Sequence, residues 1–287
     1  MIRQSFNHED IVNSVGRLDI GHRGVYTIEI LETPRGSAAK VSTGFGNFLV
    51  KHANLENTAT EQGINPPRSV GLRNEAGFLS RLRGNVPRLH YFGSDEHGVS
   101  LITEYVNGLS LRSAVKNGAH EPTQVTRALL SSAKEMHDEG VLHGDIHPAN
   151  TLINNSGDLF TIDFELAHEI DHPGIARGNA RYLSPEEASR ALLGKEPQLD
   201  QAEETFSLTV TCLEILTGKY PTSVEQSRLA SRRDYLELIS NGAFYSNQGC
   251  HEGQYESTAL MVRILHDDPV NRPQTPHELD DLVGPLL

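Results

Sequence analysis

The stretch from His143 to Asn150 reads HGDIHPAN and decides how the rest of the chain is interpreted. Asp145 and Asn150 stand five positions apart in it. Gly144 precedes Asp145 and Pro148 lies between the two, and both residues favour a loop over a helix. Asp163 follows the apolar residues 159–162, a pattern typical of a short buried strand. The sequence therefore presents a carboxylate and an amide on one loop, and another carboxylate at the end of the next strand.

These three polar side chains are the set that phosphoryl transfer from a metal-bound nucleotide requires. One carboxylate orients an acceptor hydroxyl and takes its proton, which is the role we expect for Asp145. A second carboxylate and an amide oxygen hold Mg²⁺ against the phosphates, and Asp163 and Asn150 can supply them. Because all of these ligand atoms are oxygens, they suit Mg²⁺ better than zinc.

Composition restricts the kind of protein and its partners. The chain has 287 residues, of which 37% are hydrophobic, enough for one large domain or two lobes with a packed core. Its net charge of −13 argues against nucleic acid and anionic membranes as partners, because binding to phosphate groups needs an excess of Lys and Arg. The sequence shows no apolar signal segment, no membrane-spanning run and no metal-ligand spacing of its two cysteines. We therefore expect a reduced, cytoplasmic protein.

The first part of the chain has the patterns of a small sheet with one helix. After an N-terminal extension of residues 1–24, with a short helix at 9–15, the predicted order is three strands, a helix and two strands. The predicted strands are 25–31, 38–42, 48–52, 88–92 and 99–105, and the predicted helix is 73–82. A turn at 44–47 and a loop at 54–67 complete this lobe, which we place at residues 25–106.

Beyond residue 107 the chain is predicted to be mainly helical. Amphipathic or apolar patterns predict helices at 123–138, 203–217 and 257–265, with short strands and turns over 141–185. The predicted fold class is α+β, with a small antiparallel sheet lobe and a mainly helical lobe at 107–287.

Four motifs in this order resemble the protein-kinase superfamily. They are HGDIHPAN at 143–150, DFE at 163–165, GNARYLSPE at 178–186 and DPVNRP at 268–273. They resemble, in turn, the catalytic loop, the metal-binding Asp-Phe-Gly triplet, the end of a Ser/Thr kinase activation segment and a late signature of the family. The family pairs the arginine of the last motif with the glutamate of the third, here Arg272 with Glu186. The resemblance covers residues 25–279 and implies a two-lobed protein-kinase-like fold.

The resemblance also implies a site for ATP and Mg²⁺. Lys51 on the third strand would contact the α- and β-phosphates, and Glu75 on the following helix would hold it by a salt bridge. Lys40 on the second strand is the competing candidate for that lysine.

The remaining nucleotide contacts would come from two backbone segments. The glycine-rich loop is reduced to residues 32–37 with the single glycine Gly36, so less of its backbone can approach the phosphates. The backbone of Glu104 and Val106 would pair with the adenine edge.

His147 departs from the pattern of protein kinases, which usually carry lysine at this position. Kinases similar to aminoglycoside and choline phosphotransferases often have histidine there, and kinase domains of lanthipeptide synthetases carry similar stretches. A helper contact to the γ-phosphate and a structural role both stay open. Whether Glu204 or Asp200 holds the backbone of the catalytic loop is open as well.

Three further departures concern regulation and the acceptor. Gly144 replaces the arginine that receives a phosphorylated activation loop, and no Ser, Thr or Tyr stands between Asp163 and Tyr182. We therefore expect activity without activation-loop phosphorylation. Glu165 in place of glycine restricts the triplet, and we expect a locked, active-like form in which Glu165→Gly keeps at least part of the activity. Asn replaces the usual Thr at position 179.

Three functions compete on this sequence. The leading one is an ATP- and Mg²⁺-dependent kinase acting on Ser or Thr of a protein or peptide, favoured by the Ser-Pro-Glu segment at 184–186. A small-molecule kinase is favoured by the motif HGDIHPAN, and a nucleotide-binding pseudokinase by the poor glycine loop. The sequence does not indicate the oligomeric state.

Overall fold

The computed structural model divides into two compact units. The first contains the described residues up to Asn107 together with Asp163–Glu165, and the second contains Gly108–Ile162 and those from Leu166 onward. The predicted N-terminal extension with its helix, and the loop at 54–66, lie outside the described residues. The structure describes residues 27–33, 36–53, 67–96, 98–172, 174, 176–221, 231–242 and 256–287.

The first unit is built on an antiparallel sheet in the order β1-β2-β3-β5-β4. Its strands are β1 Thr27–Thr33, β2 Gly36–Thr43, β3 Gly46–Ala53, β4 Leu89–Asp95 and β5 Gly98–Glu104. Helix α1, Arg68–Leu79, follows β3 in the chain. This helix begins and ends earlier than the predicted 73–82. At its start, a glycine and the exposed Val70 interrupt the apolar pattern, so the sequence does not show the first turn. At its end, Leu82 is buried although it lies after the helix, so its apolar side chain made the predicted helix too long.

The alternation of side chains along β3 fixes the direction of Lys51. Val50 packs with Ile102 in a buried cluster on one face of the sheet. Ala53 packs with Leu72 of α1 in a second cluster on the other face. Since successive side chains of a strand point to opposite faces, Lys51 lies on the face that α1 covers.

The second unit is mainly helical, so the predicted α+β fold class is confirmed. Its helices are α2 Leu111–Lys116, α3 Pro122–Asp138, α4 Pro185–Leu192, α5 Gln201–Thr217, α6 Arg232–Ser240, α7 Glu256–His266 and α8 Pro276–Val283. One small sheet has the order β6-β8-β9, and a second pairs β10 with β7. Their strands are β6 Gly108–Ser110, β7 Val141–Leu142, β8 Thr151–Asn154, β9 Leu159–Thr161 and β10 His168–Glu169. Within the described ranges, no helix is long and apolar enough to cross a membrane.

Helix α5 is buried along almost its whole length and forms the centre of the second unit. Its buried Thr209 donates its hydroxyl to the carbonyl of Thr205 at 2.8 Å, so a polar residue is satisfied within the helix itself. The side chain of Asp200 accepts from the N–H of Glu203 and caps the first turn. Gly218 ends the helix with a φ of 68°, the left-handed conformation that glycine adopts at little cost. The helix is therefore a fixed support for the loops around it.

Candidate active site

Lys51 lies in a buried cluster of acidic side chains in the first unit. Its Nζ donates to both carboxylate oxygens of Glu75 on α1, at 3.0 and 2.8 Å, and to Oδ1 of Asp163 at 2.8 Å. Glu165 adds a third carboxylate, whose Oε1 lies 3.9 Å from the same Nζ. The structure thus brings Lys51, Glu75 and Asp163 together, whereas Lys40 on β2 places its Nζ over the ring of Tyr105.

One ammonium group and three carboxylates leave this cluster with an excess of negative charge. Burial favours the neutral amine, but Asp163, Glu75 and Glu165 outweigh it and raise the pKa of Lys51. The pKa of Glu75 is also raised, because burial and the two other carboxylates outweigh the attraction of Lys51. Oxygen atoms of the three carboxylates lie within 4.8 Å of one another. Such an oxygen-only, negatively charged set fits Mg²⁺.

The triplet from Asp163 to Glu165 is held against helix α1. Asp163 has a φ of 69°, a left-handed conformation that is rare outside glycine and concentrates at functional sites. The side-chain amide of Asn74 donates to the carbonyls of Phe164 and Glu165, at 3.3 and 3.2 Å. Two consecutive carbonyl groups are therefore fixed by one residue of α1.

Gly71 on α1 makes room for the side chain of Glu165. A Cβ atom at Gly71 would lie 2.8 Å from Oε2 and 3.2 Å from Cβ of Glu165. The Glu165 side chain is only 4% exposed, so it has little freedom to move away. The glutamate that replaces the usual glycine of the triplet is thus accommodated by a glycine of the helix.

Gly71→Ala is expected to lower phosphoryl transfer by about 10- to 100-fold, because the new Cβ displaces Glu165 and with it Lys51 and Asp163. Adding Glu165→Gly should restore the double variant to the activity of Glu165→Gly alone, because the colliding side chain is then absent. Steady-state kinetics and stabilisation by ATP and Mg²⁺ provide the measurements. Gly77→Ala on the same helix is the matched control, since a Cβ there meets nothing within 4 Å. Wild-type kinetics of Gly71→Ala would contradict this account.

In the second unit, Asp145 is held by donors from two directions. Its Oδ1 accepts the backbone N–H of Asn179 at 2.6 Å, and its Oδ2 accepts from the side-chain amide of Asn150 at 3.2 Å. His147 Nε2 lies 3.6 Å from the same Oδ2. Burial opposes ionisation, but His147 and the Asn179 N–H outweigh it and lower the pKa of Asp145. Asp145 is therefore an ionised carboxylate in a fixed orientation.

The surroundings of His147 fix its tautomer and the plane of its ring. Its Nδ1 faces the backbone N–H of Ala149 at 3.2 Å and accepts that hydrogen bond, which assigns the remaining proton to Nε2, the atom that faces Asp145. The ring stacks on Tyr182 with centroids 5.3 Å apart. Tyr182 is itself fixed, since its hydroxyl donates to Glu214 at 2.7 Å. His147 is therefore a fixed hydrogen-bond donor next to Asp145.

Glu204 on α5, rather than Asp200, holds the backbone of the loop at 143–150. Its two carboxylate oxygens accept the N–H groups of His143 and Gly144, at 2.9 and 2.7 Å. Asp200 is occupied as the N-cap of the same helix. The sequence left this choice open, and the structure decides it in favour of the longer side chain. The loop is therefore anchored on the central helix one residue before Asp145.

Glu203 and Glu204 are buried carboxyl groups from which we expect a pH dependence of the stability. Burial raises their pKa values from 4.5 to about 8 and about 7, although backbone N–H groups oppose the change. Between about pH 5 and 8 the folded chain therefore binds more protons than the unfolded chain, and its free energy of unfolding falls as the pH rises. Glu203→Gln keeps an acceptor for the N–H of Ser184 but cannot ionise. Between about pH 5 and 8, the free energy of unfolding of Glu203→Gln should therefore fall by roughly 1 to 3 kcal/mol less than that of the wild type.

Chemical denaturation at several pH values measures this difference. Glu135→Gln, a change at an exposed glutamate of α3, serves as the control and should follow the wild type. Equal pH slopes for the wild type and Glu203→Gln would show that Glu203 is ionised in the folded protein throughout this range.

The side-chain amide of Asn150 uses its nitrogen, and not its oxygen, to contact Asp145. Nδ2 donates to the carbonyl as well as the carboxylate of Asp145, at 3.1 and 3.2 Å. The Asn150 carbonyl accepts the N–H of Ile162 at 2.9 Å, which ties the loop to the residue that precedes Asp163. The side-chain oxygen is thus the atom of Asn150 that a metal ion would use.

The segment at 178–186 contacts Asp145 through its backbone. The side chain of Asn179 accepts from the N–H of Arg181 at 3.2 Å, so it caps a turn and does not bridge to the loop at 143–150. The guanidinium of Arg272 forms a two-pronged contact with Glu186, at 2.9 and 3.2 Å. Although burial opposes it, this contact lowers the pKa of Glu186. The arginine and glutamate that the motifs pair in sequence are therefore also paired in space.

The remaining predicted nucleotide contacts lie at or just beyond the ends of strands of the first sheet. Gly36 is the first residue of β2 and pairs with Thr33, while residues 34 and 35 between them lie outside the described residues. The N–H of Glu104 donates to the carbonyl of Arg88 at 2.8 Å, and the Glu104 carbonyl accepts from the hydroxyl of Thr103 at 3.2 Å. Val106 lies two residues further on, beyond the end of β5.

Comparison with known proteins gives the class to which this fold and site belong. A family model described as "Protein kinase domain" matches residues 35–281, which is most of the chain. The chain therefore belongs to the protein kinase domain family, and the resemblance of its motifs is confirmed.

Similar proteins include bacterial kinases. Serine/threonine-protein kinase PrkC of Bacillus subtilis is 28% identical over 218 residues, which are 72% of this chain and 32% of that protein. Serine/threonine-protein kinase PknB of Mycobacterium leprae is 28% identical over 194 residues, 62% of this chain and 29% of that protein. The matches thus span about a third of the length of these curated relatives.

Proposed function

We propose that this chain transfers the γ-phosphate of ATP to Ser or Thr hydroxyls of a protein or peptide, with Mg²⁺ bound at Asp163. The observation that carries the proposal is the Asp145 carboxylate, which is ionised, oriented by two donors and 20% exposed. A carboxylate fixed in this way can accept the proton of an acceptor hydroxyl and align its oxygen for attack. Membership of the protein kinase domain family supports phosphoryl transfer as the reaction that this carboxylate serves.

The other polar residues have roles that follow from their contacts. Lys51, oriented by both oxygens of Glu75, would bind the α- and β-phosphates of ATP. Asp163 would hold the metal ion, with the side-chain oxygen of Asn150 as the further ligand that the sequence motif indicates. Bound Mg²⁺ supplies positive charge that offsets the charge of the transferring phosphoryl group.

Backbone groups would complete the nucleotide site. The carbonyl of Glu104 and the N–H of Val106 would pair with adenine, and Gly36 would border the phosphates. His147 would donate from Nε2 toward Asp145 or the γ-phosphate, taking the place of the usual lysine.

The Ser184–Glu186 segment with Arg272 supports a polypeptide acceptor. Small-molecule kinases of this superfamily usually lack that segment, whereas the histidine at position 147 is the feature that favours a small acceptor. Labelled ATP and Mg²⁺ should give transfer to generic proteins and Ser/Thr peptides, and none to a panel of hydroxylated small molecules. Transfer to the small molecules alone would replace this proposal with the small-molecule kinase.

We further propose that transfer does not need activation-loop phosphorylation. Gly144, the position of the usual phosphate-receiving arginine, has a φ of 75°, and a Cβ there would lie 2.5 Å from the carbonyl oxygen of Leu166. An arginine therefore does not fit at this position, and residues 164–181 contain no hydroxyl to phosphorylate. Phosphatase-treated protein should be as active as untreated protein, and a mapped activating phosphate at 163–182 would contradict the proposal.

A further inference from the structure

One arginine contacts the same peptide group that contacts Asp145. Arg232, the first residue of α6, donates from Nη1 to the carbonyl oxygen of Gly178 at 3.2 Å. The next residue, Asn179, donates its N–H to Oδ1 of Asp145 at 2.6 Å. Gly178 is packed so closely that a Cβ atom on it would collide with the same Oδ1. The guanidinium of Arg232 is therefore a near neighbour of the proposed reaction centre.

The positive charge of Arg232 has no carboxylate partner within hydrogen-bond reach among the described residues. Its Nη2 atom is buried there without a hydrogen-bond acceptor. Burial and the nearby Arg177 lower the pKa of Arg232, and Asp145 acts in the opposite direction. A guanidinium nevertheless stays protonated in proteins. A buried charged donor without an acceptor is costly, so an anionic group that reaches it would bind favourably.

The neighbouring arginines already have partners and so differ from Arg232. Arg177 donates from Nε to the carboxylate of Glu187 at 2.5 Å. The guanidinium of Arg181 stacks over the ring of Tyr220, 4.4 Å from its centroid. Arg181 also has a buried Nε without an acceptor, but of these three arginines Arg232 is the one whose terminal amino group is buried without an acceptor in the described structure.

We infer that Arg232 selects acceptor peptides that carry an acidic side chain within two residues of the phosphorylated Ser or Thr. The inference rests on the proposed function. The path from Asp145 through Gly178 to the guanidinium spans roughly 9 Å, and an extended peptide advances about 3.4 Å per residue. An acidic side chain one or two residues from a hydroxyl bound at Asp145 can therefore reach Arg232. The planar guanidinium matches a carboxylate with two parallel hydrogen bonds.

A set of matched peptides tests this selectivity. Each peptide carries one Ser, with Asp, Asn or Lys placed one or two residues before or after it. For the wild type, kcat/KM should be about 10-fold or more higher for the best Asp peptide than for its Asn counterpart, as expected for a hydrogen-bonded charge pair. Arg232→Gln should bring this ratio close to one, mainly through KM. Arg232→Glu should reverse the preference toward Lys.

Arg233→Gln is the matched control, because Arg233 is the next residue of α6, is 74% exposed and pairs with Glu237. It should keep the wild-type ratio. Thermal unfolding of every variant checks that it is folded, and Arg232→Lys, which keeps the charge but loses the fork of donors, should give an intermediate ratio. A wild type that phosphorylates Asn and Asp peptides equally, or an Arg232→Gln variant with an undiminished ratio, overturns this inference alone. Failure to phosphorylate any peptide would contradict the proposed function as well.

Discussion

Asp145→Asn is expected to lower phosphoryl transfer by about 10³-fold or more while ATP and Mg²⁺ still bind. The substitution keeps the shape of the side chain and an oxygen that can accept the N–H of Asn179, at 2.6 Å in the wild type. It removes the negative charge that accepts the proton of the hydroxyl. The loss should therefore appear in kcat, and the structure of the loop should survive because Glu204 anchors it independently.

Transfer kinetics and a nucleotide-binding titration on the same sample separate these two effects. Asp281→Asn, an exposed change on α8, is the control with the same chemical substitution and should behave like the wild type. Turnover of Asp145→Asn within a few-fold of the wild type would exclude Asp145 as the proton acceptor. Loss of nucleotide binding together with turnover would instead assign Asp145 a role in holding the site together.

Asp163→Asn is expected to abolish the part of nucleotide binding that depends on Mg²⁺. The change removes one of the three carboxylates around Lys51, and with it the proposed metal ligand. A ligand at 100 times its Kd stabilises a protein by about 2.7 kcal/mol. Adding Mg²⁺ to a saturating concentration of ATP should therefore raise the stability of the wild type and leave that of Asp163→Asn nearly unchanged.

Thermal unfolding with ATP, with and without Mg²⁺, measures this difference, and Asp281→Asn again serves as the control. Since Lys51 keeps Glu75 as a partner, ATP alone should still raise the unfolding temperature of Asp163→Asn slightly. An equal response of Asp163→Asn and the wild type to Mg²⁺ would refute the metal-binding role. A wild type that responds to neither ATP nor Mg²⁺ would point to a pseudokinase.

The parts of the site that the sequence predicted depend on strand alternation, on spacing within one loop and on the order of the motifs. The alternation of β3 is enough to turn Lys51 toward α1, and the spacing of the loop at 143–150 places Asn150 against Asp145. The pairing of Arg272 with Glu186 followed from recognising two motifs, because 86 residues separate them in the chain. Motif order therefore carried long-range information that periodicity alone does not contain.

The parts that the sequence did not predict are contacts between residues of unrelated segments. Gly71 lies outside the predicted helix at 73–82, and only the structure shows that it belongs to α1 and that Glu165 fills the space where a side chain would be. The substitution of glycine by glutamate at position 165 was a signal that could have led to this partner. Arg232 and Tyr182 gave no such signal, because nothing in the spacing of their neighbours relates them to Asp145 or His147.

The most direct test of the proposed function identifies the atom that receives the phosphate. The wild type is incubated with Mg²⁺, a generic protein substrate and ATP that carries ¹⁸O in its γ-phosphate, and the product is mapped by tandem mass spectrometry. We predict labelled phosphate on Ser or Thr side chains, dependent on Mg²⁺ and absent with Asp145→Asn. No labelled side chain in any polypeptide, in a sample that binds ATP and Mg²⁺, would contradict the proposal that this chain is a Ser/Thr phosphotransferase.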